Sequence, residues 1–158
     1  MEKREVEQIL AEALPKMRAA LALDDWEIVH KVCALPDSTL GRCGIDFDRL
    51  RASMSFDAEQ HEDRAELLDT VLHEFCHVLH GAFEPHQEMA REMVEPEMRE
   101  ALDVTARLGD EQTVARIMRL ITVGLGLSPE DLLRWDSGAK GVREAVETEE
   151  IRAEGSDD

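Results

Sequence analysis

His73, Glu74 and His77 sit in the run His-Glu-Phe-Cys-His, two histidines four residues apart with a glutamate directly after the first. On a helix that spacing puts both imidazoles on one face, one turn apart, where they can grip a single metal ion while the glutamate reaches the water that the metal activates. The chemistry open to such a group is metal-assisted hydrolysis, with Zn2+ as the expected ion and Glu74 as the general base. A five-residue pattern arises by chance in a chain this rich in glutamate, so its surroundings must carry the reading.

Those surroundings are strongly apolar. Leu67, Leu68, Val71, Leu72, Phe75, Val78 and Leu79 recur at spacings of three and four, which predicts a buried helix from about residue 63 to 80. Its polar stripe reads Asp69, His73, Cys76, His77 and His80. A helix face turned to water more often carries Lys and Glu. The competing reading is that Asp69, Cys76 and the histidines form a polar network that binds no metal, and Cys76 taken alone reads as a small buried apolar residue.

Other elements must position this helix. Val6, Ile9, Leu10, Ala13, Leu14, Met17 and Leu21 predict an amphipathic helix over about residues 2–22, with an irregularity at Pro15. Residues 26–32 alternate as a strand, with Trp26, Ile28, His30 and Val32 on one face. Pro36, Asp37, Ser38, Gly41 and Gly44 predict a loop over 35–44, and 45–48 a second strand or a turn. Residues 51–56 alternate cleanly, Ala52, Met54 and Phe56 inward, and at a sheet edge such a strand could pair with an extended peptide. After the motif, Gly81 and Pro85 mark an exit. Helical stretches follow over 86–108, with a break near Pro96, and over 110–123, with Gly109 as the joint. Ser128 caps a last short helix carrying Leu132, Leu133 and Trp135. From Asp136 onward the chain is acidic and poor in apolar residues.

The fold class this order predicts is α+β: an N-terminal helix, a two- to three-stranded sheet, the motif helix, then C-terminal helices. A chain of 158 residues fits one domain, read as residues 1–135 followed by a flexible acidic tail over 136–158. Three cysteines cannot all pair within the chain, and no leader with an apolar core is read before the first helix, so the expected setting is reducing and cytoplasmic. No apolar run approaches the roughly 20 residues that a membrane-spanning helix needs. The formal net charge of -18 opposes direct contact with nucleic acid, whose phosphates most of the surface would repel.

In this order the chain resembles the minimal zincin-like metallopeptidases often encoded in phages and prophages, related in layout to SprT-like domains. The matching pieces are Leu21-Ala22-Leu23-Asp24-Asp25-Trp26-Glu27-Ile28 at the entry to the first strand, Ala52-Ser53-Met54-Ser55-Phe56 before the motif, and Thr70-Val71-Leu72-His73-Glu74-Phe75-Cys76-His77-Val78-Leu79 as the motif helix. The resemblance spans about residues 21–122, and only the motif helix is specific. It implies zinc-dependent cleavage of a peptide or protein substrate.

A third protein ligand is then required. The extended metzincin pattern places Gly at position 80 and His at 83, where this chain has His80 and Phe83. At about 1.5 Å of rise per residue, His80 lies roughly 10 Å along the axis from His73, which suits a catalytic or substrate-contacting role better than ligation. The resemblance implies a gluzincin-like downstream carboxylate, from a late helix that opens with an acidic pair. Asp110-Glu111-Gln112-Thr113-Val114-Ala115-Arg116-Ile117-Met118 resembles that segment and selects Glu111, with a carboxylate at a helix start as its alternative role. Glu92 and Glu95 stay open as ligands. The chain has no tyrosine. The donor for an oxyanion would therefore come from His80, His86, His30, an arginine or a backbone amide.

Two functions of different class follow. One is a zinc metallopeptidase with His73, His77 and Glu111 as ligands, Glu74 as base and His80 as a further catalytic group. The other is a zinc-stabilised interaction module that keeps the motif helix without efficient turnover.

Overall fold

The computed structural model describes residues 1–81 and 96–134, and within them four α-helices and three strands. Helix α1 runs Lys3–Ala20 and buries Val6, Ile9, Leu10, Ala13, Leu14, Met17 and Ala20, a stripe at helical spacing. Pro15 is accommodated inside it without ending the helix. Termination comes instead at Ala22, whose φ of 55° places it in the left-handed region.

Strands β1 (Glu27–Val32), β2 (Gly41–Asp46) and β3 (Arg51–Phe56) form one sheet in the order β1-β3-β2. β1 pairs with β3 in parallel and β2 pairs with β3 antiparallel, with Cys43 opposite Met54. Ala52, Met54 and Phe56 of β3 are buried, as their alternation requires. Trp26 meets Phe47 edge to face, with ring centroids 5.4 Å apart.

Two expectations about the sheet are corrected. β2 begins at Gly41, inside the segment expected to be a loop. Glycine in a strand marks close approach of another group, and a Cβ at Gly41 would lie 2.6 Å from Glu74 Oε1 and 2.7 Å from Thr70 Cγ2. The strand Arg51–Phe56 is central, so both of its edges are taken. Among the described residues the edge beside the motif helix belongs to β2.

Helix α2 spans Arg64–His80, and Asp63 caps it by accepting the Glu66 amide at 3.0 Å. Leu67, Leu68, Val71, Leu72, Phe75, Cys76 and Val78 are buried against α1 and the inner face of the sheet. Cys76 thus leaves the expected polar stripe and joins the core.

Helix α3 runs unbroken over Pro96–Arg119 and continues into a π-helical turn, Leu120–Gly124. Gly109 is therefore not a joint. A mid-helix glycine costs only about 1 kcal/mol relative to alanine, and nothing lies within 4 Å of where its Cβ would be, so no packing forces a break there. Val114 and Ile121 dock this segment on the core. Helix α4 (Pro129–Leu133) starts with a capping box between Ser128 and Asp131 and packs Leu132 and Leu133 against α1 and α2. Glu92, Glu95, His86, Trp135 and the acidic tail lie outside the described residues. No helix among the described residues is long and apolar enough to cross a membrane.

Candidate metal centre

Three elements meet at the motif. α2 presents His73 and His77 one turn apart, α3 crosses them with Asp110 and Glu111, and β2 lies alongside with Gly41 against Glu74. A cleft of about 540 Å³ at this junction is lined by Gly41, Cys43, His73, Glu74, His77, His80, Arg107, Asp110 and Glu111, among others. A second recess of about 440 Å³ shares His73, Glu74 and Glu111 and extends towards Glu66, Asp69 and Met118.

The ligand atoms converge. His73 Nε2 and His77 Nε2 are 3.1 Å apart, Glu111 Oε2 is 3.4 Å from His73 Nε2, and Glu111 Oε1 is 3.7 Å from His77 Nε2. Four-coordinate zinc with bonds of about 2.1 Å has ligand atoms roughly 3.4 Å apart along the tetrahedron's edges, so the three separations suit one ion. His73, His77 and Glu111 form the one group of three such side chains, among the described residues, able to hold a metal. Glu111 is also deep inside α3, about four turns past its start at Pro96, so a helix-start role does not account for it.

The fourth group is Glu74, 3 % exposed. Its Oε2 is buried and accepts no hydrogen bond from any described residue. Burial pushes its carboxyl up to about 8, and the nearby charge of Glu111 adds to the rise. A buried acid left without a partner is costly unless something at the site favours its charged form. A divalent cation between the histidines and Glu111 would do that. Burial likewise lowers the pKa of His73, and the charge of His77 lowers it further, which biases the His73 imidazole to the neutral form that ligates metal. The donor set and the orphaned oxygen both fit zinc.

His80 lines the same cleft with its Nε2 3.3 Å from Asp110 Oδ1. His30 is exposed on β1, with β3 between that strand and the cleft-lining β2. Asp69 borders the second recess, its carboxyl raised above the usual range by burial and by Asp63. Sequence reasoning passed over Gly41, Arg107 and the separate contacts of Asp110. The signal for Asp110 was its adjacency to Glu111, and Gly41 was hidden because a glycine reads as a loop.

No protein-family model, curated protein or solved structure matches this chain.

Proposed function

We propose that the chain is a zinc-dependent peptide-bond hydrolase of zincin-like fold, with His73, His77 and Glu111 as metal ligands and Glu74 as general base. The observation that carries this reading is the convergence of three ligand atoms beside a buried carboxyl whose Oε2 has no hydrogen-bond partner among the described residues. Zinc bound by these three residues would supply Lewis acidity, enough to bring the pKa of a water towards about 7 and to polarise a scissile carbonyl.

The chain's own groups do the rest. Glu74 takes the proton of the attacking water on a carboxylate oxygen and returns it to the nitrogen of the leaving amine. Glycine at 41 lets the backbone of β2 run against that carboxyl. The amide of Asp57 donates to the carbonyl of Leu40, and in an antiparallel ladder hydrogen-bonded pairs alternate, so Gly41 and Ile45 turn their N–H and C=O groups away from β3, to the edge of the sheet as the described residues form it. Both line the cleft. An extended peptide adding to this edge would hydrogen-bond to those groups and cross the site with its backbone in reach of Glu74. The formal net charge of -18 disfavours polyanionic substrates.

The test is metal analysis of protein purified without added zinc, followed by cleavage of a peptide library. We expect one zinc per chain, cleavage by the wild type, and loss of cleavage with zinc retained in Glu74→Gln. Unchanged turnover in Glu74→Gln, or no metal in the wild type, overturns the proposal. Zinc binding with intact partner capture and no cleavage of any peptide supports the interaction module instead.

A further inference from the structure

Two adjacent carboxylates on α3 divide the two nitrogens of one imidazole between them. Glu111 Oε1 faces His77 Nε2 at 3.7 Å, whereas Asp110 Oδ2 lies 3.1 Å from His77 Nδ1. The other oxygen of Asp110, Oδ1, lies 3.3 Å from His80 Nε2. These are not loose surface pairs: the side chains of His77, His80 and Asp110 are 15 %, 12 % and 33 % exposed.

A neutral imidazole carries one proton, and the nitrogen that carries it cannot bind a metal. If the proton of His77 sat on Nε2, that atom would point N–H at the space between His73 and Glu111, and the site would lack a ligand. A carboxylate at Nδ1 prevents this by accepting Nδ1–H, which leaves the Nε2 lone pair directed into the site. We propose that Asp110 is the positioning residue of the metal centre: it fixes the tautomer and ring orientation of His77, and His80 holds it in place through its second oxygen. This inference rests on the reading of His73, His77 and Glu111 as ligands. His80 thereby gains a role in the site that needs no contact with substrate.

The continuity of α3 makes the arrangement possible. Residues 110 and 111 differ by about 100° around a helix, so one side chain reaches Nδ1 of His77 from the flank while the next reaches across its Nε2. A break at Gly109 would free the pair from that fixed relation.

The experiment uses the full chain and two readouts. In metal-stripped protein at alkaline pH, where imidazoles are neutral, nitrogen NMR reports which ring nitrogen of His77 bears hydrogen. We expect Nδ1–H in the wild type, loss of that preference in Asp110→Ala, and its retention in Asp110→Asn, whose side-chain oxygen still accepts. Zinc affinity, measured by chelator competition, should fall about 10- to 100-fold in Asp110→Ala with one zinc per chain still bound, and by less in Asp110→Asn. His80→Ala should give an intermediate loss. Circular dichroism verifies that the variants fold, and Asp110→Asn preserves the test if the alanine variant does not. Affinity within about threefold of wild type in Asp110→Ala, or an unchanged His77 tautomer, overturns the proposal. Complete loss of stoichiometric zinc in Asp110→Asn would make Asp110 a ligand and also overturn it. A wild type that binds no zinc removes both the metal reading and this one, whereas normal wild-type binding with an unaffected Asp110→Ala removes this one alone.

Discussion

His73 Nε2 and His77 Nε2 face each other at 3.1 Å, closer than two protonated imidazoles would tolerate. In the proposed reading the two nitrogens share one cation. Zinc should therefore stabilise the folded chain by mass action, about 2.7 kcal/mol at a free concentration 100 times Kd. Calorimetric melts with and without zinc should show this rise in the wild type and lose it in His73→Ala and His77→Ala. An equal rise in all three would place the metal elsewhere.

Gly41 should tolerate no side chain. A Cβ there would meet Glu74 Oε1 at 2.6 Å and Thr70 Cγ2 at 2.7 Å, so Gly41→Ala must displace the buried Glu74 and Thr70 side chains or shift β2. Overpacking of this kind costs about 1 to 3 kcal/mol. Gly44→Ala, whose Cβ would lie 3.1 Å from Ser53 Oγ, makes a looser contact with a less buried side chain and should cost less. Urea denaturation of the two variants ranks them, and kcat/KM should fall far more for Gly41→Ala, since that substitution also disturbs the Glu74 carboxyl.

Asp57 ties the loop that forms one wall of the cleft. Its Oδ2 accepts the amide of Leu35 at 2.7 Å and its Oδ1 that of Glu59 at 3.0 Å. The Leu35 amide, ahead of that of Glu59, holds the carboxyl below its ordinary value although burial opposes it. A depressed carboxyl stabilises the fold above its unfolded pKa of about 3.9, and the contribution disappears as pH falls through the folded value. Wild type should thus be more stable than Asp57→Asn at neutral pH, and the gap should close in acid. Urea midpoints from neutral pH down to about pH 2 test this, and a gap that widened in acid would contradict it.

The three thiols should differ in reactivity. Burial pushes Cys76 up to about 12, while Cys33 and Cys43 are half-buried. Since the thiolate is the nucleophile, a disulfide reagent should label Cys33 and Cys43 in the native protein and Cys76 only after unfolding. Mass spectrometry of the labelled peptides reads the order directly.

The motif helix was legible because its information is local: apolar spacing fixed the buried face, and the same period aligned His73 with His77. The sheet was legible only strand by strand. That Arg51–Phe56 is central depends on β2 pairing beside it, a long-range choice that alternation within β3 does not encode. β2 itself was obscured because Gly41 and Gly44 look like turn residues, whereas Gly41 serves the approach to Glu74. Gly109 misled in the opposite sense, since intrinsic propensity was overridden by the docking of Val114. Glu111 came through resemblance, and the second contact of Asp110 with His80 needed coordinates.

Because Gly109 does not interrupt α3, the backbones of Asp110 and Glu111 belong to one stiff rod and move together. A slide of that rod along α2 by one residue's rise, about 1.5 Å, would draw both carboxylates away from His73, His77 and His80 together. The mechanical seating of α3, through the buried Val114 and Ile121, thus bears on both carboxylates at once.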